Sequence, residues 1–300
     1  MLRAGALAIA ATMLALAVWA AGPLAAPAAA AAAHSTAAGS TAAAAPTAAA
    51  AAPTAAAAQQ ADEQPPDDAL PEEEADDDEP PQEPLPRVAR PSRRRGATVA
   101  RIVAPSFARA RLDSARRGWA VKTSTAWSGQ AQTLLALDIA ERRGRGWVKV
   151  LLANRPNGSA GWVPLDNVVL GRTPWWIEVR TAARRVTVFR SGKRVRAFRA
   201  VVGAPRTPTP HVLSAIYERN RQPNPREFLG PWVLSLTSLS NVLDNYGGGP
   251  GRVAIHGRAG ASFRDPLGSA RSHGCIRIDN GPISWMAARI PPGTPVDLRR

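Results

Sequence analysis

Residues 27–96 confine any folded structure to the C-terminal two thirds of this 300-residue chain. From 27 to 61 the sequence is Ala/Pro/Thr repeat, and from 62 to 86 it is acidic and proline-rich. Neither run holds enough large apolar side chains to offset the entropy of an ordered backbone. We therefore expect residues 27–96 to form a disordered tether, partly extended by its prolines. Much of the 45% hydrophobic content is alanine from this region, so the average overstates the available core.

The first 26 residues carry Arg3, an apolar run from Ala4 to Ala21, and small residues beyond. This is the pattern of an export signal cleaved after Ala21 or Ala26. The run is also nearly long enough to remain as a membrane anchor through residues 4–21. Either reading puts the remainder outside the cytoplasm, in the cell wall or periplasm.

Charge is segregated along the chain. Residues 62–83 hold twelve of the 23 acids, while residues 87–300 hold 37 of the 38 basic residues and eleven acids, a net of +26. Only Lys122, Lys149 and Lys193 are lysines. Such a surface attracts polyanions. No nucleic-acid-binding motif accompanies it, and export argues against that partner.

Order is expected from Ala97. "GWAVKTSTAW", "GWVKVLLA" and "GSAGWVPLDNVVL" are short strand-like runs between turn signals, the pattern of a small barrel over 97–170. "AQTLLALDIAERRG" fits a helix or a strand. A second block, 173–300, opens with "WWIEV", "RRVTVFR" and "VRAFRAVV", an antiparallel meander. "YERNRQPNPREFLGP" holds three prolines and is expected to be a long functional loop, not a central strand. "NGPISWMAARI" is the one helix, with Ile283, Met286, Ala287 and Ile290 on one face. The class is mostly β.

The chain has a single cysteine, Cys275. It cannot close an internal disulfide, and an unpaired thiol in an exported protein is a candidate reactive group. Four histidines exist, and His256 and His273 are the two near it in sequence. A neighbouring base or cation raises the thiolate fraction of a cysteine. Gly257 and Gly274 allow close backbone approach. The N–H groups of Gly274 and Cys275 are candidate oxyanion donors for acyl transfer. A zinc site from His256, His273 and Cys275 would lack a fourth ligand and the usual paired-cysteine spacing. Trp232 and Tyr246 lie near the proline-rich loop and are candidate substrate contacts.

The blocks "IHG" and "SHGCIR", 19 residues apart from His256 to Cys275, resemble the signature of the L,D-transpeptidase (YkuD-type) family. The matching residues are His256, Gly257, Ser272, His273, Gly274, Cys275 and Arg277. "VVGAPRTPTP" resembles a further loop of that family, with Pro210 where glycine is usual. The stretch "GWVKVLLANRPNGSAGWVPLDNV" resembles bacterial SH3-like domains. These resemblances imply an SH3-like barrel followed by a β-sandwich-type catalytic domain. They imply that Cys275 forms a thioester with a peptidoglycan stem peptide, which an amine of another stem resolves as a 3→3 cross-link. His256 would shuttle protons, oriented by the Gly257 carbonyl, and His273 would shape the thiolate environment. No metal or cofactor is implied, and β-lactams of the carbapenem type are the implied inhibitors. Water in place of the amine would make the enzyme an L,D-carboxypeptidase. A non-enzymatic wall-binding protein is the reading outside enzymology.

Overall fold

The computed structural model describes residues 84–114, 116, 118–246 and 249–300. The signal or anchor segment and the tether up to residue 83 lie outside it. Among the described residues, no helix is long and apolar enough to cross a membrane.

The first unit is all β. Its strands are β1 (Ala97–Ile102), β2 (Ser106–Ala108), β3 (Trp119–Val121), β4 (Thr133–Arg142), β5 (Arg145–Leu151), β6 (Ala160–Pro164) and β7 (Val168–Thr173). Five of them form an antiparallel sheet in the order β6-β5-β4-β1-β7, and β2 and β3 form a separate ribbon. The run that fits helix or strand is β4. It lies centrally between β1 and β5, and its neighbours Leu134, Leu135 and Ala136 are all buried. A strand covered on both faces needs no alternation. Leu134 and Ala136 enter the first unit's own core. Leu135 faces the other way, against Ala215 of the second unit.

The second unit contains β8 (Trp175–Arg180), β9 (Arg185–Arg190), β10 (Lys193–Arg199), β11 (Val202–Gly203), β12 (Leu213–Arg221), β13 (Trp232–Leu239), β14 (Arg252–His256), β15 (Ala270–Ser272), β16 (Ile276–Arg277) and β17 (Pro295–Arg299). Eight strands form one sheet, ordered β10-β9-β8-β17-β12-β13-β14-β16, and β11 pairs with β15. The β8–β17 and β14–β16 pairs are parallel. The one α-helix among the described residues, α1 (Asn280–Arg289), covers the core of this sheet. Its Ile283, Met286 and Ala287, with Ile290 just after it, are buried as their spacing predicts. Each full burial of such a large side chain contributes about 1.5–3 kcal/mol. Pro282 is tolerated because it lies in the first turn, where backbone N–H groups have no helical partner. Pro291 follows the helix end and cannot continue it.

Two boundaries differ from the sequence reading. Tyr217–Arg221 belongs to β12, an interior strand of the eight-stranded sheet, and the loop begins only at Gln222. The three prolines all lie beyond residue 222, so they never interrupt the ladder. Glu218 is tolerated at zero exposure because its carboxylate accepts hydrogen bonds from the Ser128 N–H and hydroxyl, 3.1 and 2.9 Å away. Residues 84–96, expected in the tether, also make specific contacts. Val88 packs on the first core, Ser92 and Gly96 exchange backbone hydrogen bonds, and Arg93 lies over the Phe189 ring.

Candidate active site

The site is assembled by the parallel pairing of β14 and β16. Ile255 stands opposite Ile276, and His256 opposite Arg277. Side chains alternate along a strand. Ile255 and Ile276 therefore enter the core, and His256 and Arg277 project from the opposite face, joined by Cys275 just before β16. His256, Cys275 and Arg277 line one cavity of about 320 Å³, together with Tyr246 and His273.

Cys275 is presented by a braced turn. Gly274 has φ +114°, a conformation L side chains rarely adopt. The buried Ser272 hydroxyl donates to the Cys275 carbonyl at 2.5 Å and accepts from the Gly274 N–H at 3.2 Å. The expected pair of free N–H donors is thereby reduced, because the Gly274 N–H is already engaged. Two threonines of the "VVGAPRTPTP" loop hold the turn from outside. Thr207 donates to the Ser272 carbonyl at 3.0 Å, and Thr209 to the Gly274 carbonyl at 2.8 Å. Pro210 is buried, and the loop reaches the turn with proline at that position.

His256 is buried, with Nδ1 2.7 Å from the Gly257 carbonyl. A carbonyl can only accept, so Nδ1 carries the proton and Nε2 keeps its lone pair. Gly257 is required by crowding, since a Cβ there would strike Asn280 Oδ1 and Pro231. Asn280 opens α1 and clamps this segment: its Oδ1 accepts from the Arg258 N–H at 2.8 Å, and its Nδ2 donates to the Arg258 carbonyl at 2.9 Å.

Burial pushes the His256 pKa down from 6.5 to about 4, aided by the nearby Arg277 charge and opposed by the Gly257 and Leu229 carbonyls. Cys275 keeps partial access to the cavity, yet protein atoms crowd its sulfur, and this desolvation pushes the thiol up. The Ala254 N–H and the Arg277 guanidinium act in the opposite direction, toward thiolate. Desolvation disfavours the charged form of both groups. The resting pair is therefore neutral thiol and neutral imidazole at neutral pH. Sγ lies 3.9 Å from the Arg252 carbonyl, a weak thiol contact.

Arg277 is buried and paired with Asp265 at 2.5 Å, beneath the Phe228 ring, 4.7 Å from its centroid. Phe228 also stands beside the His256 ring, 6.2 Å away between centroids. The proline-rich loop thus supplies a wall of the site. His273 lines the cavity but is exposed, with its ring 5.4 Å from that of Tyr246. The groups that move the Cys275 pKa are its burial, Ala254 and Arg277, and His273 is not among them. Arg277, which also lines the cavity, is a charge that favours the thiolate. Trp232 does not reach the cavity. It packs against the main core, because its strand neighbour Val233 faces the site and alternation turns Trp232 away. Among the described residues, no group of three His, Cys, Asp or Glu could hold a metal ion. Thr207, Thr209, Phe228 and Asn280 were not singled out from the sequence. Only the Thr-Pro-Thr pattern of the loop offered a signal for two of them.

Residues 174–298 match the YkuD family, the L,D-transpeptidase catalytic domain. Two relatives, each described as a putative L,D-transpeptidase YkuD, are similar to part of this chain. The Bacillus licheniformis protein is 32% identical over 125 residues, 42% of this chain and 66% of its own. The Bacillus subtilis protein is 29% identical over 156 residues, 50% of this chain and 85% of its own. Among solved structures, Bd1075 of Bdellovibrio bacteriovorus aligns with TM-score 0.33 and 25% identity, covering 42% of this chain and 47% of that one. The chain thus spans just under two thirds of the B. licheniformis protein and about half of Bd1075. The family match begins at residue 174, after the first unit, whose SH3-like reading remains a proposal.

Proposed function

We propose that the chain is a peptidoglycan L,D-transpeptidase that forms 3→3 cross-links through a cysteine thioester. The carrying observation is the shared face of Cys275 and His256 in one cavity, with the imidazole fixed as the Nδ1–H tautomer by Gly257. A neutral Nε2 is the acceptor that a neutral thiol needs.

As Sγ attacks the carbonyl of the third stem residue, its proton passes to His256 Nε2. The carbonyl π electrons move to oxygen, which the Cys275 N–H receives. Collapse of this intermediate breaks the peptide bond to D-alanine, and the imidazolium returns the proton to the leaving amine. The Gly257 and Leu229 carbonyls favour the transient imidazolium. An amine of a second stem then attacks the thioester, losing its proton to His256, and the thiol is regenerated. Arg277 favours the thiolate that develops during attack and disfavours a histidine protonated beforehand. A strained lactam carbonyl offers the same nucleophile an acyl group that stays attached, so carbapenem-type β-lactams are the expected inhibitors.

We further read the chain as exported, either released by signal cleavage or held by residues 4–21, with the first unit positioning the catalytic one on the wall. Purified protein incubated with tetrapeptide muropeptides should release D-alanine and yield 3→3 dimers by mass analysis, and Cys275→Ala should do neither. Release of D-alanine without dimers would move the reading to L,D-carboxypeptidase. Wall binding without any product would leave only a binding protein.

A further inference from the structure

A second cavity, of about 590 Å³, adjoins the first and shares Cys275, His256, Tyr246 and Arg252 with it. Its walls come from both units. From the first unit the hairpin between β3 and β4 contributes Trp127, Ser128 and Gln130, and from the second the end of β12 contributes Arg219 and Arg221. The hairpin is held closed by the Thr125 N–H on the Gln130 carbonyl at 2.9 Å and the Gln132 N–H on the Thr123 carbonyl at 2.7 Å. It is fastened to β12 by the two Ser128 hydrogen bonds to Glu218 and by Gln130 Nε2 on the Arg219 carbonyl at 3.0 Å. A rigid wall of this kind is part of the cavity before any ligand arrives.

The lining is one-signed. Arg219, Arg221 and Arg252 line the second cavity, and no aspartate or glutamate does. Glu218 does not line it and is fully buried, bonded to Ser128. Arg219 and Arg252 direct N–H groups at backbone carbonyls of Ala287, Leu236 and Ala153, which hold them in place, and the buried Glu218 carboxylate partly offsets the Arg252 charge. Arg221 is exposed at the end of β12 and has no partner among the described residues. Trp127 is 55% exposed, with the Arg252 guanidinium 5.7 Å from its ring centroid. A free Arg221 guanidinium and an exposed Trp127 indole on the lining of one cationic pocket are together suited to a carboxylate on a chain with apolar stretches.

We propose that this second cavity binds a carboxylate-bearing peptide, with Arg221 as the carboxylate-recognising residue and Trp127 of the first unit as the packing wall. The first unit is then part of the substrate site. The identity of the peptide as a stem rests on the proposed function; the preference for carboxylate over amide does not.

Binding is tested on full-length Cys275→Ala protein by titration calorimetry, so that it is read without turnover. Two synthetic tetrapeptide stems serve as probes, one with free side-chain carboxylates and one with the same groups amidated. The acid form should bind roughly five- to tenfold tighter, the scale of one charge-assisted hydrogen bond in a partly solvated pocket. Arg221→Gln should bring the ratio near one, and Trp127→Ala should weaken both peptides while keeping the ratio. Both side chains are exposed, so neither change threatens the fold. Equal binding of acid and amide, a ratio untouched by Arg221→Gln, or unchanged affinity in Trp127→Ala would each overturn the proposal. Failure of wild-type protein to cross-link stems, with the acid preference intact, would overturn the proposed reaction and leave this site standing.

Discussion

His256 and Arg277 stand abreast on adjacent parallel strands, and both face the cavity into which Cys275 opens. Burial keeps the imidazole neutral, helped by the positive charge beside it, and the same charge favours a thiolate. The pair is therefore uncharged at rest, and in the proposed reaction the proton moves when an electrophile arrives.

The pH dependence of acylation follows from this. With His256 at about 4 and the thiol raised, the neutral pair persists across the ordinary range. The rate of Cys275 acylation by a carbapenem should be flat from about pH 5 to 8, with an acid limb near 4. A limb near 6.5 would mean an unperturbed histidine. His256→Ala should lower the rate by about 10²-fold or more, the usual contribution of a general base.

Arg277 should act through charge. Arg277→Met removes the cation that favours thiolate, so acylation should fall at neutral pH and recover in part at higher pH. Arg277→Lys should retain more of the rate, although it loses the fork that meets Asp265. His273→Ala should leave the thiol titration in place, because Arg277 is the charge that acts on it. Thiol titration of the three variants by alkylation rate checks all of this, and a raised thiol pKa in His273→Ala alone would reverse the assignment.

Ser272 should behave as a positioning residue. Ser272→Ala strands the Gly274 N–H and the Cys275 carbonyl in a buried turn, costing about 1–3 kcal/mol. Lower thermal stability and slower acylation are both expected. Thr209→Val, which deletes the brace on the Gly274 carbonyl, should slow acylation in the same direction, read as kcat with KM little changed.

Stability should also titrate with His256. Its folded pKa lies below the unfolded value of 6.5, so the unfolded chain binds the proton first. This contribution is present above pH 6.5, is lost as pH falls, and is gone below about pH 4, a loss of roughly 3 kcal/mol. Denaturant unfolding of wild type against His256→Gln at pH 7 and pH 4 should show the difference narrowing at the lower pH.

The sequence by itself determined the pieces with a local cause. Four apolar residues at helical spacing, bounded by prolines, specify α1 wherever it docks. The lone Cys275, its glycine and the His256-Gly257 pair pointed to the proposed chemistry from the sequence alone. Tertiary structure decided what depends on register and on distant partners. The β14–β16 pairing set Arg277 against His256, and alternation along β13 turned Trp232 into the core. Asn280 clamps the segment after His256 from 22 residues away, and Ser128 holds Glu218 across 90 residues. Glu218 looked like part of a polar loop because nothing nearby in sequence could satisfy a buried carboxylate. Its partners come from the other unit, and only their packing makes an interior strand of β12 and a second wall for the site.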